Sequence, residues 1–161
     1  MGVIGGFRIR YTSYMAFLRF IFLLFIASTA LHFAWEISQM SLYSFSGVPL
    51  SGYEAFVKEH WIAALKDGLI TVALYLLVAI FMQNMAWGRR FSNRRLIFLL
   101  SFGFLWALVM EYHAVSVRHA WSYGLAMPIL PGLDVGIAPV LQMMIVPLVA
   151  IILVRKQLSD K

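Results

Sequence analysis

The chain has 161 residues, 62% of them hydrophobic and only 12% charged, and carries a net charge of +6. A soluble domain is nearer half apolar and about a quarter charged, so this composition excludes an ordinary water-soluble fold and indicates a single membrane domain, residues 1–161. The basic residues flank apolar runs, which explains them by lipid contact and topology and gives no support for nucleic acid.

Crossing the hydrocarbon takes about 20 apolar residues as a helix. Four runs meet this, at about 17–37, 69–87, 96–117 and 137–154. The first opens on basic residues and contains Ser28-Thr29-Ala30, which resembles a signal-peptide cleavage site. Its apolar stretch continues through Ile37, so an uncleaved helix is expected. Arginines and lysines cluster before the first run (Arg8, Arg10, Arg19), between the second and third (Arg89, Arg90, Arg94, Arg95) and after the fourth (Arg155, Lys156, Lys161). Positively charged short loops stay in the cytoplasm, so an even number of spans with both termini inside satisfies every flank. The expectation is an all-α, up-down-up-down bundle of four transmembrane helices, with N- and C-termini cytoplasmic.

Two connections fall on the other, periplasmic side. In the first, Ser51-Gly52-Tyr53-Glu54 has capping-box spacing and predicts a short interfacial helix leading into the second span. The second, residues 118–139, carries Pro128, Pro131, Gly132, Gly136 and Pro139 together with Leu125, Met127, Ile129 and Leu130. The prolines and glycines forbid a continuous helix, and the apolar side chains suit no watery loop. A structured outer cap over the helix ends is expected. Pro147 is expected to kink the fourth span.

Ionisable groups inside spans are costly and usually face the bundle interior. With the alternating topology, His32, Glu36, Lys66, Asp67, Glu111, His113, Arg118 and Gln142 come from all four helices to one outer level. Six of the seven acids (Glu36, Glu54, Glu59, Asp67, Glu111, Asp134) lie on that side, and only Asp160 on the other. One polar cavity at the outer side is therefore expected. His32 and Glu36 are four apart and share a helix face. Glu111 and Arg118 share one too if the helix continues, whereas Glu111 and His113 diverge on a regular helix.

The candidate acid–base residues are Glu36 and Glu111, with His32 orienting Glu36. Two carboxylates at one depth are suited to proton transfer; the alternative is that Lys66 and Arg118 neutralise them as ion pairs. Trp35, Asp67, His113, Arg118, Trp121, Tyr123 and Gln142 are candidate ligand-binding residues. The aromatic residues also suit an interfacial belt. His32, Glu36, His60, Glu111, His113 and His119 are potential metal ligands, but no established metal-ligand spacing is present, so no metal is assigned. No cofactor is assigned either. The absence of cysteine excludes disulfides and thiol chemistry. The expected partners are the bilayer, a lipid or small hydrophobic ligand, and a membrane-protein partner.

Leu31-His32-Phe33-Ala34-Trp35-Glu36, then Gln39-Met40 and Leu42-Tyr43, resembles a family of small bacterial four-helix membrane proteins. Trp121-Ser122-Tyr123, Met127-Pro128, Pro131-Gly132, Gly136, Pro139, Gln142 and Pro147 carry the same likeness. The family pattern has proline where this chain has Ser41. The resemblance implies an architecture and a shared outer constellation, not an activity. A fainter likeness is to the sterol isomerase and sigma-2 receptor superfamily, in which His32, Glu36 and Glu111 would fill the intramembrane His and carboxylate roles. Three functional expectations follow: a binding or accessory protein, an enzyme acting on a lipid-soluble substrate, or a transporter component. A path across the bilayer needs polar residues on both sides of the midplane, which makes the last the least supported.

Overall fold

A computed structural model describes residues 11–44 and 53–159. The chain forms four long helices, α1 (Tyr11–Gln39), α2 (Tyr53–Phe81), α3 (Asn93–Tyr112) and α4 (Ile137–Ser159). Each contains a stretch apolar and long enough to cross a membrane. At 1.5 Å per residue, α1 is about 43 Å long, more than the roughly 30 Å of a hydrocarbon core. The helices form an all-α bundle in which α1 packs on α2 and α4, and α3 packs mainly on α4.

Two clusters hold the bundle. The larger lies toward the arginine-rich end, where Phe20, Leu24, Tyr75, Val78, Leu99 and Ile151 interdigitate with Trp87. The smaller lies near the acidic end and joins Ala107, Val135, Val140 and Met143. Small residues let α3 approach α4 closely. A Cβ at Gly103 would collide with the Met143 carbonyl oxygen. Gly103 and Ala107 are buried at this contact, whereas Ser101 is exposed.

The second helix departs from the hydropathy reading at both ends. It starts at Tyr53 and runs unbroken into the span, so there is no separate interfacial helix. Ser51 and Gly52 of the capping-box spacing lie outside the described residues. The helix ends at Phe81, because Gln83 takes a left-handed conformation with φ 49°. The chain then folds back, and Trp87, expected to close the span, belongs to a short turn over Trp87–Arg89. Its ring stacks on Tyr75 at 4.8 Å between centroids, and its Nε1 donates to the Tyr75 carbonyl at 3.0 Å. The Tyr75 hydroxyl donates to the Met85 carbonyl at 2.8 Å. An apolar residue next to a span adds to a hydropathy sum whether it extends the helix or folds back on it.

α3 begins at the Ser92 cap, whose hydroxyl accepts from the Arg95 backbone N–H at 3.5 Å. It loosens into a π-helical turn over His113–Val117, and the left-handed φ of His119 (50°) ends it. The segment after α3 forms the cap. β1 (Tyr43–Ser44) pairs antiparallel with β2 (Ser122–Tyr123), setting Tyr43 opposite Tyr123. β3 (Ile129–Leu130) pairs with β4 (Val135–Gly136) around a turn in which Gly132 has φ 80°. β4 leads directly into α4, and the Ile137 N–H donates to the Pro128 carbonyl at 2.8 Å. The prolines and glycines that forbid a helix here thus make two small ribbons. Pro147 is buried within α4, and the helix continues through it.

Candidate functional site

All four helices and the cap contribute to one cavity of about 430 Å³ at the acidic end. Glu36, Gln39 and Met40 come from α1, and Tyr43 from β1. The stripe Glu59, Ala63, Lys66, Asp67 and Ile70 comes from α2, and Trp106, Met110 and Glu111 from α3. His113, Arg118 and Trp121 follow α3, and Pro139, Gln142 and Met143 open α4. Residues 59, 63, 66, 67 and 70 recur at helical spacing, so α2 turns one face to the cavity over about three turns.

Gln142 organises one wall. Its Nε2 lies 3.0 Å from Glu36 Oε1, 3.0 Å from His32 Nδ1 and 3.4 Å from Asp67 Oδ2. Its Oε1 accepts from Gln39 Nε2 at 2.9 Å, and Gln39 Oε1 accepts from Trp35 Nε1 at 3.0 Å. On the far side of the imidazole, His32 Nε2 lies 3.0 Å from Thr71 Oγ1. With Gln142 donating to Nδ1, the ring proton belongs on Nε2 and is donated to the Thr71 hydroxyl. α1, α2 and α4 are thereby joined through one buried amide.

Glu111 forms the opposite wall. Its Oε1 accepts from Tyr123 Oη at 2.9 Å and from Trp121 Nε1 at 3.1 Å. The Tyr123 oxygen accepts in turn from the Gly136 N–H at 2.8 Å. The cap is therefore tied to α3 by neutral donors reaching one carboxylate. Burial, joined by the negative charge of Glu111, holds the Tyr123 phenol above its ordinary pKa. Burial and the carboxylates of Glu111 and Glu36 act the same way on Tyr43. Both hydroxyls remain protonated donors through the physiological range.

The residues singled out in the sequence divide into two sets. Glu36, Asp67, Glu111, His113, Arg118, Trp121 and Gln142 line the cavity. His32, Trp35 and Tyr123 stand behind it: His32 is fully buried against Thr71 and Gln142, Trp35 holds Gln39, and Tyr123 holds Glu111. His32 reaches Glu36 through Gln142 rather than directly. Glu111 and His113 both face the cavity although two residues apart, because the π-helical turn beginning at His113 changes the rotation per residue. Lys66 and Arg118, the anticipated partners of the carboxylates, line the same cavity without direct ion pairing. Among the described residues neither cation closes an ion pair with these carboxylates, and Asp67 Oδ2 lies 3.9 Å from Nδ1 of the neutral His32 ring.

Two partners escaped sequence reasoning as site residues. Gln39 lies seven residues after His32 and three after Glu36, and Thr71 lies four after Asp67. That spacing, applied to neutral polar residues as well as charged ones, would have found both. Among the described residues, no three His, Asp or Glu side chains are grouped so as to hold a metal ion. No family profile, curated protein or solved structure matches the chain.

Proposed function

We propose that this multi-pass protein of a bacterial inner membrane binds a lipid or small ligand in the cavity at its acidic end. On this reading both termini are cytoplasmic and the cavity faces the periplasm. The observation that carries it is the convergence of Glu36, Asp67, Glu111 and Gln142, from all four helices, on one open space. Polar side chains inside a membrane bundle are costly to keep, and where they surround a space they usually serve it. The charge pattern supports the orientation: Arg89, Arg90, Arg94, Arg95, Arg155 and Lys156 stand at the opposite end. Residues behind the likeness to small bacterial four-helix proteins gather at this site, with Glu36, Gln39, Tyr43, Trp121 and Gln142 among the lining. Membership of that family is part of this proposal and rests on the likeness of those residues.

A second reading, acid–base catalysis on a lipid-soluble substrate, is favoured by one feature. Glu36 and Glu111 line the same cavity and are each held by neutral donors that leave a further oxygen on the carboxyl group. One would give and the other take a proton, with His32 positioning Glu36 through Gln142.

Native mass spectrometry of the full chain in mild detergent tests the proposal. The expected result is an adduct of constant mass on the wild type that is lost from Glu36→Gln and Glu111→Gln while both variants keep the wild-type helical spectrum. Bare chain mass from gentle preparations of the wild type would contradict it.

A further inference from the structure

Several side chains of α2 and α3 that line the cavity also reach the surface. Toward the arginine end these two helices meet through aromatic rings: Phe81 lies 6.0 Å from Phe98 and 5.4 Å from Phe102 between centroids. Ile70 packs against the Ala107–Val140–Met143 cluster and closes the bottom of the space. Above Ile70 both helices contribute to the cavity lining. Their facing residues both line the cavity and reach the surface: Lys66 and Glu59 on α2, Trp106 and Met110 on α3. Trp106 is 40% exposed and Met110 46%, within a helix whose neighbouring Leu105 and Val109 face outward. On the α3 side these residues belong to the stretch long and apolar enough to cross a membrane.

The chemistry inside is unbalanced. Gln142 Nε2 has two hydrogens and stands before three acceptors, namely His32 Nδ1, Glu36 Oε1 and Asp67 Oδ2. The amide oxygen is already taken by Gln39. Lys66 and Arg118 are exposed at the rim and close no ion pair among the described residues. The Gln142 amide thus faces more acceptors than it has hydrogens, in a place where an unmet acceptor is expensive.

We propose that the cavity takes a single-chain amphiphile from the adjacent leaflet, through the open part of the α2–α3 seam. Its head carries an N–H or O–H donor that pairs with Glu36 and Asp67, and its hydrocarbon tail lies between Trp106 and Met110 on one side and Ala63 on the other. The inference rests on the cavity being a ligand site and adds the route and the head-group chemistry. A head that only accepts hydrogen bonds would compete for the hydrogens of the Gln142 amide and serve none of its acceptors. A ligand confined to water would need no lipid-facing opening.

The test uses the full chain in lipid nanodiscs and three probes of equal chain length: 1-dodecanol, dodecylamine and dodecyl methyl ether. Binding is read by native mass spectrometry. The donor-bearing probes are expected to bind at least tenfold tighter than the ether. Preference for the amine over the alcohol would identify a cationic head, and the reverse an uncharged one. Ala63→Trp and Met110→Trp, which fill the seam, should each weaken the preferred probe at least tenfold, with Val109→Trp on the lipid face as the size control. Thermal melts show whether each variant is folded, and Met110→Trp lies on the exposed lip where bulk is best tolerated. Equal binding of the ether would overturn the head-group assignment. Wild-type binding by both folded seam variants would overturn the route. If none of the probes binds, this inference fails, while the adduct measurement on the wild type still decides separately whether the cavity is a ligand site.

Discussion

Gln142 and Glu36, 106 residues apart in sequence, meet at 3.0 Å across the α1–α4 contact. The same nitrogen lies 3.0 Å from His32 on α1 and 3.4 Å from Asp67 on α2. A single buried amide thus serves three helices, and its geometry sets where two carboxylates point. In a membrane interior such side-chain hydrogen bonds average about 0.6 kcal/mol and reach about 1.7.

Gln142→Leu keeps the volume and removes the amide that faces His32, Glu36 and Asp67. We expect a loss of about 1–3 kcal/mol, because buried acceptors are left unserved. Gln142→Glu should cost more, since it adds a carboxylate beside Glu36 and Asp67. Unfolding in mixed micelles by increasing denaturing detergent checks the order. A leucine variant as stable as wild type would mean that the junction contributes nothing to the fold.

Gly103→Ala should destabilise the α3–α4 pair by about 1–3 kcal/mol, the usual cost of forcing a methyl group into a filled contact. The added carbon would meet the Met143 backbone carbonyl, which cannot rotate away as a side chain would. Ser101→Ala, on the exposed side of the same helix, is the control and should change the melting temperature little.

Alkaline pH should loosen the cap. Burial and Glu111 raise the Tyr123 phenol above its ordinary value of about 10. An acid whose folded pKa is raised contributes its full stability below the unfolded value and loses it as pH rises beyond that value. The Tyr123 hydroxyl also supplies the proton to Glu111 and accepts from Gly136, so its ionisation would set two anions side by side. Stability followed from pH 8 to pH 11 should fall above about pH 10. Tyr123→Phe should begin less stable by about 1 kcal/mol and show a shallower alkaline decline. Identical alkaline slopes in the two proteins would remove Tyr123 from this account.

Much of this arrangement is legible in the sequence. The four spans follow from hydropathy, because a spanning helix must be apolar over its length. The common depth of Glu36, Asp67, Glu111 and Gln142 follows from alternating helix direction. What sequence leaves open is azimuth. These helices are apolar on nearly every side, so no amphipathic stripe tells which residues face inward. The separation of His32 behind the cavity from Glu36 lining it could not be read from their spacing of four. The π-helical turn at His113 is likewise silent in hydropathy, yet it brings Glu111 and His113 to one space. The fold-back of Trp87 onto Tyr75 shows the same limit at a helix end. Its apolar ring lengthens a hydropathy run while the backbone has already turned.

The central claim is a single water-accessible polar cavity at the acidic end, on the side of the membrane opposite the arginine-rich loop. The chain contains no cysteine, so each single substitution supplies a unique thiol. Lys66→Cys, His113→Cys, Gln142→Cys and Arg90→Cys, labelled in intact cells with a membrane-impermeant maleimide, test the claim most directly. The account predicts rapid labelling from outside at positions 66 and 113, slower labelling at 142, and labelling at position 90 only after the membrane is opened. External labelling at 90, or protection of 66 and 113 until the membrane is opened, would contradict it.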